Sequence, residues 1–245
     1  MGPSPRNHVC YDSRPLTEEV HLKAFIPAVL FFALAACSQN GADQVEPQTD
    51  STATNTTSAA PMTSATKPAA PRPDSAYVNK IAELHTTAGQ INLRFFPKDA
   101  PNHVRNFIDL SESGFYNGTK FHRVIPGFMI QGGDPNTKAG DPSTWGTGGS
   151  GHNVNAEFNN REHKRGILSM ARTGDPNGAS SQFFICVDEA SQLNNQYTVF
   201  GEVTQGMDVV DKIVNAPTRG ETPIEPVAIT KVVIRDATAA EKPAQ

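Results

Sequence analysis

The sequence has few cysteines, no concentrated block of basic residues and no apolar run long enough to span a bilayer, and each absence argues against a class of protein. Its three cysteines, Cys10, Cys37 and Cys186, lie far apart in 245 residues, which supports neither a disulfide framework nor a zinc cluster. A net charge of −4 without a basic patch argues against nucleic acid as a partner. The apolar run at 24–37 is too short for a transmembrane helix.

That apolar run is instead typical of the central region of a secretory signal, because it follows Lys23 and ends in small residues. Its end, LAAC at 34–37, resembles the bacterial lipoprotein box, in which the cysteine is lipidated and becomes the new N-terminus. We therefore predict a signal region at 1–37 and a lipid on Cys37 that holds an exported protein on a membrane, facing the periplasm. By analogy with other lipoproteins, Ser38 favours the outer membrane over the inner one. The alternative is an ordinary signal peptide that is cleaved nearby and leaves a free thiol.

Residues 1–19 fit this signal poorly, because a signal begins with a short cationic segment and these residues include Asp12, Glu18 and Glu19. We expect that they precede the true start of translation and that synthesis begins at Val20. In that case Cys10 is never part of the protein.

Residues 38–76 consist mainly of Ser, Thr, Ala, Pro, Gln and Asn, with almost no large apolar side chain. Such a segment cannot bury enough surface to repay the entropy of ordering. We predict a disordered tether with a root-mean-square span of about 35 Å. The composition changes at Tyr77, and we predict a globular domain at 77–236 followed by a flexible tail at 237–245.

Within this domain, short apolar segments alternate with Gly, Pro, Asn and Asp, a pattern typical of a small antiparallel barrel or sandwich. The predicted strands lie at 78–85, 90–95, 120–125, 129–132, 167–171, 182–187, 198–203 and 227–235. Helical spacing occurs twice, from Pro101 to a stop at Gly114 and again at 206–215. Because closure removes exposed sheet edges, we expect a mainly β fold, a closed eight-stranded antiparallel barrel capped by two α-helices.

Three parts of the domain carry a resemblance to a known family. They are FHRVIPGFMIQGGD at 121–134, GILSMA at 166–171 followed by SQFFI at 181–185, and VFGEV at 199–203. In this order they resemble the signature of the cyclophilins, and the resemblance extends over essentially all of 77–236. It implies a cyclophilin-like barrel and a peptidyl-prolyl cis-trans isomerase. Together with the predicted export signal, this predicts that the enzyme acts on X-Pro bonds of exported, folding chains.

The resemblance also implies which residues form the proline site. The catalytic residues would be Arg123, Phe128 and Gln131, and the substrate-binding residues would be Met129, Ala171, Arg172, Gln182, Phe184, Leu193 and Tyr197. A guanidinium suits the reaction because the prolyl nitrogen becomes basic when the peptide bond twists. A donor aimed at that nitrogen stabilises the transition state more than the planar ground state, and Arg123 is our candidate for this donor.

Several of these residues have plainer explanations when each is taken alone. Phe128 and Phe184 would be barrel core, Gln131 a solvated strand residue, and Arg123 a surface or ion-paired residue. Arg123, however, shares a strand face with the apolar residues at alternate positions, which is unusual for an unpaired surface charge.

Two positions near the site depart from the pattern of many eukaryotic members of the family. Gln192 replaces a tryptophan and Tyr197 replaces a histidine. Tyr197 can still close the apolar wall, so we expect isomerase activity to survive. Two other functions stay open: a proline-peptide binding module or holdase chaperone with little turnover, and a lipoprotein scaffold.

The implied reaction needs no cofactor or metal, because no covalent bond to the substrate is made, and the histidines of the domain lack metal-ligand spacing. The run GTGGSG at 146–151 matches Gly-X-Gly-X-X-Gly, but no strand leads into it and no helix follows. We interpret it as part of a surface loop beside the groove. The expected partners are proline-containing polypeptides and a membrane, with the protein itself a monomer.

Overall fold

The computed structural model of the chain describes residues 74–241. The predicted signal region, the lipidation site at Cys37, most of the predicted tether and residues 242–245 lie outside the described residues. The first described residues, Asp74–Tyr77, form a 3₁₀ turn. Within the described range, no helix has the length and apolar content needed to cross a membrane.

Ten strands and two helices follow one another along the described chain. In order they are β1 (Lys80–Thr86), β2 (Gly89–Phe95), α1 (Pro101–Glu112), β3 (Arg123–Ile125), β4 (Met129–Gly132), β5 (Ile167–Met170), β6 (Phe183–Cys186), β7 (Val199–Gln205), α2 (Met207–Val214), β8 (Thr218–Arg219), β9 (Thr222–Pro223) and β10 (Ile229–Asp236). Eight strands form one antiparallel sheet in the order β10-β1-β2-β7-β5-β6-β4-β3, while β8 and β9 form a separate hairpin. The fold is mainly β with two helices, as predicted, and each predicted strand overlaps one strand of the large sheet. The β8–β9 hairpin was not predicted.

The large sheet is not a closed barrel, and this corrects the prediction from the sequence. Its ladder ends at β10 on one side and at β3 on the other. The two ends approach each other where the chain before β3 contacts the start of β10. The N–H of Gly118 donates to the carbonyl of Ile229 and the N–H of Ile229 to the carbonyl of Thr119, each at 2.7 Å. Lys120 and Ala228 form an isolated bridge, and the N–H of Phe121 donates to the carbonyl of Val227 at 3.0 Å. Within the sheet β3 itself pairs only with β4, so the eight strands form a half-barrel.

The predicted apolar face of α1 packs against the sheet. Its buried residues include Val104, Phe107, Ile108 and Ser111. Phe107 lies at the centre of the core, with its ring centroid 5.0 Å from that of Tyr116, 5.3 Å from Phe183, and 5.6 Å from both Phe95 and Phe200. All five rings are buried, so this aromatic cluster joins the helix to strands β2, β6 and β7.

The N-terminus of α1 is capped by a residue distant in the sequence. Ala100 at the N-cap offers no side-chain acceptor, and the carboxylate of Glu157 accepts instead from the N–H groups of Asn102 and His103, each at 3.0 Å. The same carboxylate lies 2.7 Å from Nδ1 of His103. Burial tends to raise the pKa of Glu157, but the hydrogen bonds from His103 and Asn102 outweigh burial and hold the pKa below its usual range.

Replacing Glu157 with glutamine is expected to lower the free energy of unfolding by about 1–2 kcal/mol at pH 7, because the charged cap is lost. A carboxyl group with a depressed pKa stabilises the fold above its unfolded pKa, and this contribution disappears as the pH falls through the folded pKa. The difference between the two proteins should therefore shrink below about pH 4. Urea unfolding at pH 7 and at low pH measures it, with Glu162→Gln, an exposed substitution in the same loop, as the control. A difference that is the same at both pH values would contradict the prediction.

Residues 237–241, predicted as the start of a flexible tail, contact the sheet in this structure. The carboxylate of Glu241 accepts from both terminal nitrogens of Arg235, at 2.8 and 2.7 Å. The N–H of Ala237 donates to the carbonyl of Asn79 at 2.7 Å. These bonds extend the ordered chain past the end of β10.

Candidate active site

The predicted catalytic residues Arg123 and Gln131 lie opposite each other on the β3–β4 hairpin. Gln131 is in turn paired with Phe184 on β6. Directly opposite residues of antiparallel strands place their side chains on the same face of the sheet. Three adjacent strands therefore bring Arg123, Gln131 and Phe184 together in a row. Met129, two residues before Gln131 on β4, lies on this face as well.

The apolar residues predicted to hold the proline ring form a cluster separate from the main core. Its buried floor consists of Met129, Phe184, Cys186 and Ala190, and the partly buried residues packed on that floor are Ile125, Phe128, Ala171, Leu193 and Tyr197. The rings of Phe184 and Tyr197 are in edge-to-face contact, with an interplanar angle of 82° and centroids 5.8 Å apart. A buried floor with a partly exposed wall offers an apolar surface that a small ring can cover.

The floor of this apolar cluster is supported from behind by His163. Its Nδ1 lies 3.0 Å from Oδ1 of Asn194 and its Nε2 lies 3.0 Å from Oγ of Ser169, while its ring stacks on that of Phe184 with the centroids 6.0 Å apart. Burial lowers the pKa of His163. Burial also raises the pKa of the neighbouring Cys186 thiol to about 12, so this thiol stays protonated.

A chain of polar side chains runs along one side of the apolar cluster. Nη1 of Arg123 donates to Oε1 of Gln131 at 3.3 Å, and Nε2 of Gln131 donates to Oε1 of Gln182 at 2.9 Å. Nε2 of Gln182 then donates to the carbonyls of Gly146 and Gly148, at 2.9 and 2.8 Å. These bonds fix the orientation of both glutamine side chains.

The glycine-rich loop predicted beside the groove is held by the buried carboxylate of Asp134. This carboxylate accepts from the N–H of Asn136 at 2.8 Å, from the N–H of Gly146, and from the N–H of Gly148 at 3.3 Å. A Cβ at Gly148 would collide with Asp134, so the close approach requires glycine there. The loop therefore borders the site, and its packing on Asp134 explains the glycine at 148 without a phosphate-binding role.

A groove with a volume of about 710 Å³ lies between this loop and the segment that follows β5. Gln131, Gln182, Ala171 and Arg172 are among the residues that line it. The guanidinium of Arg172 lies over the ring of Tyr197, 4.6 Å from its centroid, and Nε donates to the carbonyl of Gln196 at 3.1 Å. Arg172 therefore joins the groove to the wall of the apolar cluster.

Arg123 has a partner that the sequence pattern did not predict. Its Nε donates to Oε2 of Glu221, in the β8–β9 hairpin, at 2.5 Å. Arg123 is therefore an ion-paired residue, as its plainer explanation proposed, and this ion pair lies within the predicted site. A glutamate so far along the chain gave no signal in the sequence, because only folding brings the hairpin to β3.

The structure thus brings all ten of the predicted site residues into one continuous area, although their roles stay predictions. Glu221 and His163 are the additions to it. His163 was noted in the sequence only for its lack of metal-ligand spacing. Within residues 74–241, no group of three or more His, Cys, Asp and Glu side chains is placed to hold a metal ion.

Comparison with known proteins gives a consistent result. A family model described as cyclophilin type peptidyl-prolyl cis-trans isomerase/CLD matches residues 81–234. A peptidyl-prolyl cis-trans isomerase of Helicobacter pylori is 46% identical over 136 residues, which cover 54% of this chain and 78% of that protein. Another, of Acinetobacter baylyi, is 40% identical over 176 residues, which cover 68% and 91%. The crystal structure of a Cryptosporidium parvum cyclophilin type peptidyl-prolyl cis-trans isomerase, in the presence of the dipeptide Ala-Pro, matches with a TM-score of 0.57 and 34% identity, over 64% of this chain and 99% of that one.

Proposed function

The chain belongs to the cyclophilin-type peptidyl-prolyl cis-trans isomerases, and we propose that it accelerates rotation about X-Pro bonds by directing the guanidinium of Arg123 at the prolyl nitrogen. One observation carries this proposal. Through Gln131, the strand pairing puts Arg123 next to Phe184 and the apolar cluster on one face of the sheet. A cationic donor and an apolar surface for the proline ring are therefore neighbours.

The energy of the reaction explains why this pair of features suffices. Resonance in the peptide bond creates a barrier to rotation of about 18–20 kcal/mol. As the bond twists, the nitrogen loses conjugation and its lone pair becomes able to accept a hydrogen bond. A donor that meets this lone pair acts only on the twisted state, so it lowers the barrier without tightening the binding of the planar substrate.

The hydrogen bonds of Arg123 leave it donors for this purpose. Within the described residues, Nε is used by Glu221 and one hydrogen of Nη1 by Gln131, so Nη2 can face a bound peptide. The side chain of Arg123 is 41% exposed, which makes it accessible from the surface. A proline ring that covers the apolar cluster excludes water beside the guanidinium and strengthens the interaction.

The polar chain beside the cluster suits the backbone of the peptide. Gln131 and Gln182 are held in fixed orientations by each other and by the loop carbonyls of Gly146 and Gly148. Fixed amides bind a peptide with less loss of side-chain entropy than mobile ones. We propose that Gln131 sets the register of the peptide and that Arg172 and Ala171 border the groove for residues next to the proline.

The test is NMR exchange spectroscopy on a short Ala-Pro peptide, with and without the purified protein. Rapid exchange between the cis and trans forms is expected at substoichiometric protein. Binding of the peptide without faster exchange would instead support the alternative of a proline-peptide binding module or holdase chaperone.

We further propose that the substrates are exported proteins and that a lipid on Cys37 holds the isomerase at a membrane. The support is the LAAC sequence at 34–37 and the signal-like run before it. Metabolic labelling with a tagged fatty acid is expected to mark the wild-type protein and leave Cys37→Ala unlabelled, with the variant released from the membrane fraction. Equal labelling of both proteins would contradict the proposal.

A further inference from the structure

The turn between β8 and β9 places Glu221 with little freedom. The strands pair Arg219 with Thr222, so the turn consists only of Gly220 and Glu221. Gly220 has a φ of 64°, in the left-handed region that favours glycine and that short hairpin turns require. The backbone that carries the Glu221 carboxylate is therefore set by the hairpin itself.

Two bonds attach Glu221 to β3, the strand that carries Arg123. The carbonyl of Glu221 accepts from the N–H of Val124 at 2.8 Å, and its carboxylate accepts from Nε of Arg123 at 2.5 Å. Because β3 is the edge of the large sheet, its outer side is open to such a contact. Backbone and side chain of one residue thus bind two consecutive residues of the strand.

We propose that Glu221 is a positioning residue for Arg123, a role that rests on the proposed function of Arg123. Glu221 holds the Nε side of the guanidinium while Gln131 holds Nη1. Because two nitrogens of the planar guanidinium are bound, its orientation is fixed. The third nitrogen, Nη2, is the one available to the substrate. Without Glu221, Arg123 keeps its charge and its place in the site but samples more rotamers.

The expected size of the effect follows from the exposure of the pair. The side chains of Arg123 and Glu221 are 41% and 54% exposed, and ion pairs between solvent-exposed groups are weak. Glu221→Ala is therefore expected to lower kcat by about two- to fivefold, with little change in KM. Glu221→Gln keeps an acceptor for Nε and should retain most of the wild-type rate. Glu225→Ala removes an exposed glutamate of the same connecting segment and is the matched control.

A second readout follows the contact itself. The Nε–H resonance of Arg123 in an ¹H–¹⁵N spectrum of the full chain should show slow exchange with solvent in the wild type and in Glu225→Ala, and faster exchange in Glu221→Ala. Amide spectra of the three proteins report whether the fold is unchanged.

The outcomes separate this inference from the proposed function. A loss of kcat in Glu221→Ala, with recovery in Glu221→Gln and faster exchange at Nε, supports the positioning role. Wild-type kcat in Glu221→Ala overturns it, and so does an equal loss in Glu221→Gln, which would assign the effect to charge. If the wild-type protein itself fails to accelerate isomerisation, the proposed function fails and the positioning role falls with it.

Discussion

Replacing Arg123 with alanine is expected to lower kcat/KM for a proline peptide by about 100-fold or more, since removing one donor aimed at a transition state costs about 10²- to 10³-fold in comparable enzymes. Of the predicted site residues, Arg123 is the charged one that is bonded to Gln131, beside the apolar cluster. The substitution removes this side chain. The apolar cluster itself consists of other residues, which the substitution leaves in place. Binding of the peptide should therefore change much less than the rate. Exchange spectroscopy for the rate and a titration for the dissociation constant measure the two separately.

Two further variants make the result of Arg123→Ala specific. Arg123→Lys keeps the charge but loses the planar fork of donors, so it should recover only a small part of the rate. Arg105→Ala removes an arginine of α1 whose guanidinium contacts Asp74 and Tyr77 outside the site, and wild-type activity is expected. A rate in Arg123→Ala within a few-fold of the wild type would mean that the apolar cluster and the fixed glutamines catalyse the reaction without this donor.

The parts of the fold that were predicted correctly depend on residues close together in the sequence. The buried face of α1 follows from apolar spacing within one segment, and the helix does begin at Pro101 and end before Gly114. Closure of the barrel depends instead on how far the chain around 118–121 pairs with that around 227–229. The pattern of residue types along the chain does not show how far this distant pairing extends. In the structure it is a short run of contacts just before β3.

The same distinction applies to the site. Arg123 and Gln131 come from one hairpin with a short turn, so their proximity follows from local register. Glu221 belongs to a two-residue turn whose flanking strands contain only two residues each, too short for any periodicity to show. Its contact with Arg123 was invisible in the sequence, although it governs how the predicted catalytic side chain is oriented.

Replacing Phe107 with alanine is expected to lower the free energy of unfolding by about 3–5 kcal/mol, the usual cost of removing a fully buried aromatic ring. Phe107 is 0% exposed, and its ring contacts those of Phe95, Phe183 and Phe200 on three different strands as well as Tyr116. Since these strands already pair with their neighbours in the sheet, they cannot easily collapse into the space left behind. The cavity should therefore persist and contribute to the cost. Urea unfolding followed by circular dichroism measures it.

Phe158→Ala is the matched control, because this phenylalanine is 41% exposed and its truncation leaves no enclosed cavity. Its expected cost is within about 0.5 kcal/mol. The comparison also bears on function, since Phe183 of the aromatic cluster is adjacent on β6 to Phe184 of the apolar site. If Phe107→Ala remains folded in the absence of urea, its peptide-binding affinity should fall little, because the alternation of β6 puts Phe184 on the opposite face. For Phe107→Ala, a cost in unfolding free energy below about 1 kcal/mol would show that the helix moves inward to fill the space. In that case α1 is less firmly fixed on the sheet than its aromatic contacts indicate.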